Sequence, residues 1–335
     1  MQQVNVAILG ATGAVGRTML EVLLQRRFPF RQLRLLASEK SAGQRLECHG
    51  RQFVVEKAGR DQFEGMDIVL GAVDNSWIRH YLPWIRQSGA LLIDNSSAFR
   101  MEPHVPLVIP EINAAQIAFH HGIIANPNCA TILALMALWP LHCLYGCRRL
   151  WVSTYQAVSG AGKRGMEELT RQLQDPRMAP EVFPRPIAGN VIPQIGALNE
   201  MGISEEEQKL QREGRKILDL PSLQVSCTCV RVPVVRCHSA AIVAQTEKQI
   251  DLEVLMDRIR HSPGLRLQLP YPTPLEYSGS DLAAVGRLRM DPRFPDEIQL
   301  WCCFDQLRKG AATNAVQIAE WALEQGWLRK ERRTS

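Results

Sequence analysis

Several side chains in this sequence are typed and spaced so that they could do chemistry on a carbonyl. Cys129 stands in "ANPNCATILALMALWPL", between a proline-bearing turn and a long apolar run. Pro127 fixes φ, and Asn128 suits a turn. The run Ile132–Leu141 has helical length, which puts Cys129 at or near a helix N-terminus. Unpaired amides and the helix dipole favour a thiolate there. A thiolate so placed attacks an aldehyde or acyl carbonyl, and the amides of the same turn could steady the oxyanion that forms. A cysteine in this setting is also a small core hydrophobe, so the chemical reading needs partners.

The candidate partners lie downstream. His238, in "CVRVPVVRCHSAA", could move the thiol proton near neutral pH. Arg231 precedes it by seven residues. An unbroken strand would aim the two at opposite faces, but Pro233 should interrupt the pairing and let both reach one pocket. Gln156, in "STYQAVSGAGK", leads into a glycine turn and could orient a substrate or acyl group. Arg100 closes "DNSSAFR". A helix opening with the capping box Ser204/Glu207 carries Glu206 and Lys209 on one face. Such a pair is either solvated surface or, facing a pocket, one carboxylate and one ammonium. In the pocket reading Arg100 and Lys209 could hold a phosphate, Arg231 a carboxylate and Glu206 an amine.

A second kind of chemistry sits at the N-terminus. "VNVAILGATGAVGRTMLEVLL" reads as strand, glycine turn, helix, with Gly10, Gly13 and Gly16 letting the backbone approach a pyrophosphate. The alternative is a tight turn without a ligand; the strand–turn–helix context favours dinucleotide binding. The second strand should end in "LASEKSAG". Ser38 and Lys40 there suit a 2′-phosphate, and therefore NADP. Glu39 between them could instead bind a 2′-hydroxyl, and Lys40 could be a solvated lysine.

These groups need elements to position them. Strand-length apolar runs at Val4–Leu9, Leu33–Ala37, Asp67–Val73, Ala90–Asp94 and Ile123–Ala125 alternate with helix-like stretches at Arg17–Arg26 and Trp77–Gln87. That alternation predicts a parallel sheet covered on both faces. Later strand candidates are longer: Arg149–Val158, Leu223–Glu247 and Glu297–Phe304. Helix-like stretches there are Gly165–Leu173, Glu205–Leu218 and Leu252–Arg260. The expected fold is α/β: an N-terminal Rossmann-like dinucleotide-binding domain over 1–128, to which a C-terminal helix at 311–326 returns, and an α+β catalytic and dimerisation domain with a mixed sheet over 129–310.

The 335 residues suffice for two domains, and 46% hydrophobic with 22% charged residues is ordinary for a globular protein. The net charge of +5 is mild. Its one basic cluster, Arg329–Arg333, reads as a solvated tail, so no nucleic-acid partner is expected. No run reaches the ~18 apolar residues of a membrane span, and the N-terminus lacks a signal-peptide pattern. Nine scattered cysteines without zinc-ligand spacing predict reduced thiols in a cytoplasmic compartment and no metal.

The chain resembles the aspartate-β-semialdehyde dehydrogenase family from end to end. The resemblance rests on "GATGAVG", "LASEKSAG", "DNSSAFR", "IPEIN", "NPNCAT", "STYQAVSGAGK", "NVIP", "EEEQK", "RKIL", "RVPVVRCHS" and "LRKGAATNAVQIAE", in family order. It implies interconversion of L-aspartyl-4-phosphate and L-aspartate-4-semialdehyde with NADP(H) and phosphate, in lysine/diaminopimelate, threonine and methionine biosynthesis. By position Cys129 would form a thioester, His238 act as acid/base and Gln156 position the intermediate. Arg231 would bind the substrate carboxylate, Glu206 its amine, Arg100 and Lys209 the phosphate, with Asn128 beside the nucleophile. Gly10, Thr12, Gly13, Ala14, Val15, Gly16, Ser38, Lys40, Ser159, Gly160 and Gln306 would bind the cofactor. A homodimer or homotetramer joined through the second domain's sheet is implied as well. The chain departs from the family pattern at Asp74–Asn75, where a Gly-Gly pair is usual, at Gln306 for Asn, and at Gly189 for Phe. The alternative readings are N-acetyl-γ-glutamyl-phosphate reductase, with the same thioester chemistry, and a non-catalytic dinucleotide-binding paralogue.

Overall fold

The computed structural model describes residues Gln3–Leu328, so the basic run Arg329–Arg333 lies outside the described residues. The chain divides into two compact units. One joins the residues up to Pro127 with those from Ala311 onward; the other is Asn128–Gly310.

The first unit is built on strands β1 (Val4–Leu9), β2 (Phe30–Ala37), β3 (Arg45–Cys48), β4 (Arg51–Lys57), β5 (Ile68–Gly71), β6 (Leu91–Asp94) and β7 (Ile123–Ala125), with helices α1 (Ala14–Gln25), α2 (Asn75–Ser88) and the short α3 (Pro110–Asn113). The sheet order is β3-β4-β2-β1-β5-β6-β7. Every neighbouring pair is parallel except β3–β4. A parallel sheet is covered on both faces, and β1 is buried at all its positions. Val4, Val6 and Ile8 pack on one side with Met19 and Leu23 of α1; Ala7 and Leu9 pack on the other with Ile78 and Ile85 of α2. The β3–β4 hairpin escaped the sequence reading because its outward positions are polar. Its turn is His49–Gly50, both at positive φ, as the twist of a two-residue hairpin requires.

The second unit holds α4 (Cys129–Tyr145), β8 (Cys147–Gln156), α5 (Gly162–Gln174), α6 (Glu205–Leu218), β9 (Gln224–Arg231), β10 (His238–Thr246), α7 (Leu252–Arg260), β11 (Leu265–Leu267), α8 (Pro274–Tyr277), β12 (Ala283–Arg289) and β13 (Glu297–Phe304). Its mixed sheet runs β11-β12-β13-β10-β8-β9. The outer pairs β11–β12 and β8–β9 are parallel, and the pairs between them antiparallel. α4 is apolar on all sides and buried from Ala130 through Leu138, which makes it a core helix. It lies on the sheet with α6 and α7 beside it. Among the described residues no helix is long and apolar enough to cross a membrane.

One expected element is corrected. Leu223–Glu247 is not a single strand interrupted at Pro233. It forms two strands, β9 and β10, and β8 lies between them in the sheet. The connection Val232–Cys237 leaves the sheet and returns through Cys237 at φ 76°.

The remaining helix, α9 (Thr313–Glu324), belongs to the first unit. Its Ala315, Val316, Ile318, Ala319 and Ala322 are buried in the same core as α1. Asn314 donates from Nδ2 to the Val108 carbonyl at 2.9 Å and to Asn126 Oδ1 at 2.7 Å.

Candidate active site

Three strand ends of the second unit set out a row of polar side chains. Gln156 ends β8 and Arg231 ends β9, and the parallel register pairs the two. His238 opens β10, whose next residue, Ser239, pairs with Tyr155. Alternation along each strand puts Arg231, Gln156 and His238 on the face that α4 covers. They are 6%, 1% and 0% exposed. The question raised by the odd spacing of Arg231 and His238 thus has a sheet-level answer: the two belong to different strands, flanking a third.

Cys129 is the first residue of α4, and Asn128 is its N-cap. Asn128 Oδ1 accepts from the Ala130 and Thr131 amides at 2.9 and 3.4 Å. The Asn128 amide donates to Glu213 Oε2 at 2.7 Å. The amides of residues 128, 130 and 131 in this turn are thus bonded within the protein. Gly310 leaves room beside Cys129: a Cβ there would stand 3.2 Å from Cys129 Cβ and 2.9 Å from the Phe304 ring.

Glu206 is not solvated surface. It is buried in the first turn of α6, below the capping box that Ser204 and Glu207 form. Oε1 accepts from Asn128 Nδ2 at 3.0 Å and from Gln156 Nε2 at 3.1 Å, and Oε2 meets Lys209 Nζ at 3.2 Å. Burial alone would push this carboxyl up. The Lys209 charge and the donated hydrogen bonds outweigh burial and hold it below its ordinary value. Glu206 therefore ties α6 to the α4 cap and to the end of β8.

The imidazole of His238 accepts from the Ala157 amide at Nδ1, 3.1 Å away. That acceptor role places the proton of the neutral ring on Nε2. Nε2 has no hydrogen-bond partner among the described residues. Burial, with the Arg231 charge beside it, lowers the imidazole well below the ordinary histidine value, so the ring is neutral at pH 7. Arg231 donates to the Ala157 carbonyl at 2.6 Å and lies over the Phe183 ring. Gly160 must lack a side chain, since a Cβ would stand 2.7 Å from Arg231 Nη1 and 3.2 Å from His238 Cε1. Gln306 is buried and spends both ends of its amide: Oε1 accepts from the Cys237 amide at 3.0 Å, and Nε2 donates to Ser159 Oγ.

The first unit carries the other candidates. A Cβ on Gly16 would stand 2.2 Å from the Gly10 carbonyl oxygen, and one on Gly10 2.4 Å from that of Ala72. The turn is therefore as tight as a phosphate cradle requires. Gly13 caps α1 without a side-chain hydrogen bond, and no acidic residue sits in the first turn, so Ala14, Val15 and Gly16 begin a helix suited to an anion. Thr12 lies in the same turn. Ser38, Glu39 and Lys40 follow β2 and are exposed. Glu39, the residue that complicates the NADP reading, pairs with Lys57 at 3.0 Å. Asp74 caps α2 without a side-chain bond, while Asn75 exchanges hydrogen bonds with Ser97. Arg100 is buried and donates to the carbonyls of Asn126 and Asn95 at 2.9 and 2.8 Å. Gly189, in the second unit, takes φ 67°, a conformation costly for the usual Phe.

Known proteins match both units. The semialdehyde dehydrogenase NAD binding domain matches residues 5–120, and the semialdehyde dehydrogenase dimerisation domain matches 138–309. The chain belongs to the aspartate-semialdehyde dehydrogenase family. Aspartate-semialdehyde dehydrogenase of Synechocystis is 44% identical over 97% of this chain and 99% of its own, and that of Aquifex aeolicus is 42% identical over 97% and 99%. Among solved structures, aspartate semialdehyde dehydrogenase II of Vibrio cholerae complexed with ASA has a TM-score of 0.94 at 42% identity, covering 97% of this chain and 99% of that one.

The family places a nicotinamide dinucleotide on the first unit, where the glycine cradle and the uncapped start of α1 fit it. Among the described residues no three His, Cys, Asp or Glu side chains gather as around a metal ion. Sequence reasoning missed Glu213, Lys57 and Cys237. For Glu213 a signal existed: in "EEEQKLQREGRKIL" it lies seven residues beyond Glu206, on the same helix face.

Glu206 gives a prediction about acid stability. A carboxyl lowered by folding contributes stability that is complete above its ordinary value of 4.5 and is lost as pH falls through its folded value. Glu206→Gln should cost about 1–3 kcal/mol at pH 7, and the deficit against the parent should shrink below pH 4.5. Urea unfolding midpoints between pH 3 and 7 test this; a deficit constant across that range contradicts the assignment.

Proposed function

We propose that the chain catalyses the reversible conversion of L-aspartyl-4-phosphate to L-aspartate-4-semialdehyde and phosphate with NADP(H), in the biosynthesis of lysine/diaminopimelate, threonine and methionine. The observation that carries this reading is the row Arg231–Gln156–His238, completed by a buried carboxylate paired with a half-buried ammonium and by a cysteine at the start of a core helix. Relatives of that name over nearly the whole chain support it.

In this reading the Cys129 thiolate attacks the acyl phosphate carbonyl. The C–S bond forms, phosphate leaves with the C–O electron pair, and a thioester remains. The helix dipole of α4 favours the thiolate both before attack and on its release. A bound nicotinamide supplies the hydride that takes the thioester to the aldehyde level. His238 Nε2–H donates to the carbonyl oxygen as negative charge grows there and recovers its proton as the C–S bond breaks. The imidazole thus takes the oxyanion role that the capped amides at 130 and 131 do not fill. Arg231 offers the rest of its guanidinium fork to the substrate α-carboxylate, and Glu206 its charge to the amine. Gln156, anchored on Glu206, orients the acyl group beside Asn128. Lys209 and Arg100 are the proposed phosphate ligands. Ser159 and Gly160 are the proposed cofactor contacts of the second unit, with Gln306 behind Ser159.

NADP is proposed over NAD because Ser38 and Lys40 suit a 2′-phosphate and the intervening Glu39 faces Lys57 at 3.0 Å. A homodimer or homotetramer is proposed through the sheet face opposite α4. Tyr155, 38% exposed, contacts the half-buried Trp301 there, with Val243 and Ala241 nearby.

Three outcomes are expected. Cys129→Ala should lower phosphate-dependent NADP reduction by aspartate semialdehyde at least about a thousandfold while the protein stays folded; undiminished turnover removes the nucleophile. Activity in the same assay with N-acetylglutamate semialdehyde instead of aspartate semialdehyde would move the protein to the sister reaction. Lys40→Ala should reduce the ratio of kcat/KM for NADP over NAD about tenfold or more, and an unchanged ratio frees Lys40 of the role. Val243→Glu should yield monomers in sedimentation velocity where the parent sediments as a dimer or tetramer.

A further inference from the structure

The imidazole of His238 is held through its backbone as much as through its ring. Immediately before it stands Cys237, a non-glycine residue at φ 76° and fully buried. A Cβ in the left-handed region is strained and persists only where surrounding contacts enforce it. The enforcing contact is legible: the Cys237 amide donates to Gln306 Oε1 at 3.0 Å. The other end of that amide donates to Ser159 Oγ. Ser159 lies two residues beyond Ala157, whose N–H holds His238 Nδ1 and whose carbonyl holds Arg231. The two loops also bond to each other, Val158 N–H to the Val234 carbonyl at 2.9 Å and Ser159 N–H to that of Val235 at 3.2 Å. Gln306 itself is presented by a braced turn. Asp305 pairs with Arg236 at 2.6 Å and accepts from the Gly279 and Leu307 amides at 2.7 and 2.9 Å.

We infer that Gln306 is a positioning residue for His238: it clamps the strained turn that enters β10 to the turn that leaves β8, and so keeps the imidazole aligned on the Ala157 amide. The inference rests on the catalytic reading of His238. It differs from the direct nicotinamide contact expected from the sequence, because both ends of the Gln306 amide are engaged within the protein. Removing the clamp leaves Cys237 free to relax out of the left-handed region, and His238 turns with it. A displacement of about 1 Å at such a group costs roughly a hundredfold in turnover.

The test is a variant series on the full-length enzyme. His238→Asn comes first: an active His238→Asn protein removes the catalytic reading itself. With that variant inactive, Gln306→Met, which keeps the volume and loses both hydrogen bonds, should lower kcat about a hundredfold. The KM for both substrates, and the NADP dissociation constant from fluorescence titration without turnover, should stay within about threefold. Adding Cys237→Gly, which occupies the left-handed region without strain, should restore kcat about tenfold. Adding Cys237→Ala, which loses nearly the same volume but keeps the strain, should not. Three results overturn the inference: kcat unchanged in Gln306→Met, a rise in the NADP dissociation constant that matches the loss of rate, or equal rescue by glycine and alanine. Should Gln306→Met fail to fold, Gln306→Ala carries the same measurements.

Discussion

Burying the Glu206 carboxylate is the constraint on which the second unit's site depends. Taking a carboxylate out of water costs several kcal/mol unless charge and hydrogen bonds replace the water. Asn128, Gln156 and Lys209 supply the replacement, and each belongs to a feature the site needs. Asn128 caps the helix that begins with Cys129. Gln156 ends the central strand of the polar row. Lys209, three residues on in α6, supplies the countercharge. One anion thus fixes the N-terminus of α4, the end of β8 and the first turn of α6 relative to one another. Glu213, one further step along the same helix face, holds the Asn128 amide from below and makes the arrangement two-point.

The electrostatics of the row follow from that burial. Arg231 and His238 sit close to one another and both are buried. The imidazole yields by staying neutral, since a guanidinium does not give up its proton. A neutral imidazole whose Nδ1 accepts from a backbone amide carries its hydrogen at Nε2, which fits a donor to developing negative charge. The Asn128 side chain binds the amides of residues 130 and 131 in the turn that carries Cys129. Cys129 and His238 come from different elements, a core helix and a strand end, and each sits on regular structure rather than on a loop.

The first unit solves a different problem with backbone alone. Gly10 and Gly16 approach other carbonyls so closely that no side chain fits, and the reward is a helix start without a cap of its own. The outlying hairpin β3–β4 then does something its polar sequence did not advertise. It brings Lys57 alongside the end of β2, within 3.0 Å of Glu39, the one residue of "LASEKSAG" that argues against a 2′-phosphate.

Much was determined by the sequence by itself, wherever the physical signal is local. The glycine turn after β1, the α4 start beside Asn128, the Ser204–Glu207 capping box and the limits of β7, β13, α6 and α7 all depend on residues within a few positions of one another. The order of family motifs determined the kind of enzyme. Tertiary structure alone decided what depends on residues far apart in the chain. It put β8 between Arg231 and His238, turned Glu206 from a solvated helix residue into a buried anchor, and spent the Asn128 cap and the Gln306 amide on protein partners. Periodicity reports which face of an element is apolar. It does not report which strand will lie beside it, because sheet order is set by packing over the whole unit. For the same reason a buried carboxylate and a solvated one look alike until their neighbours are in place.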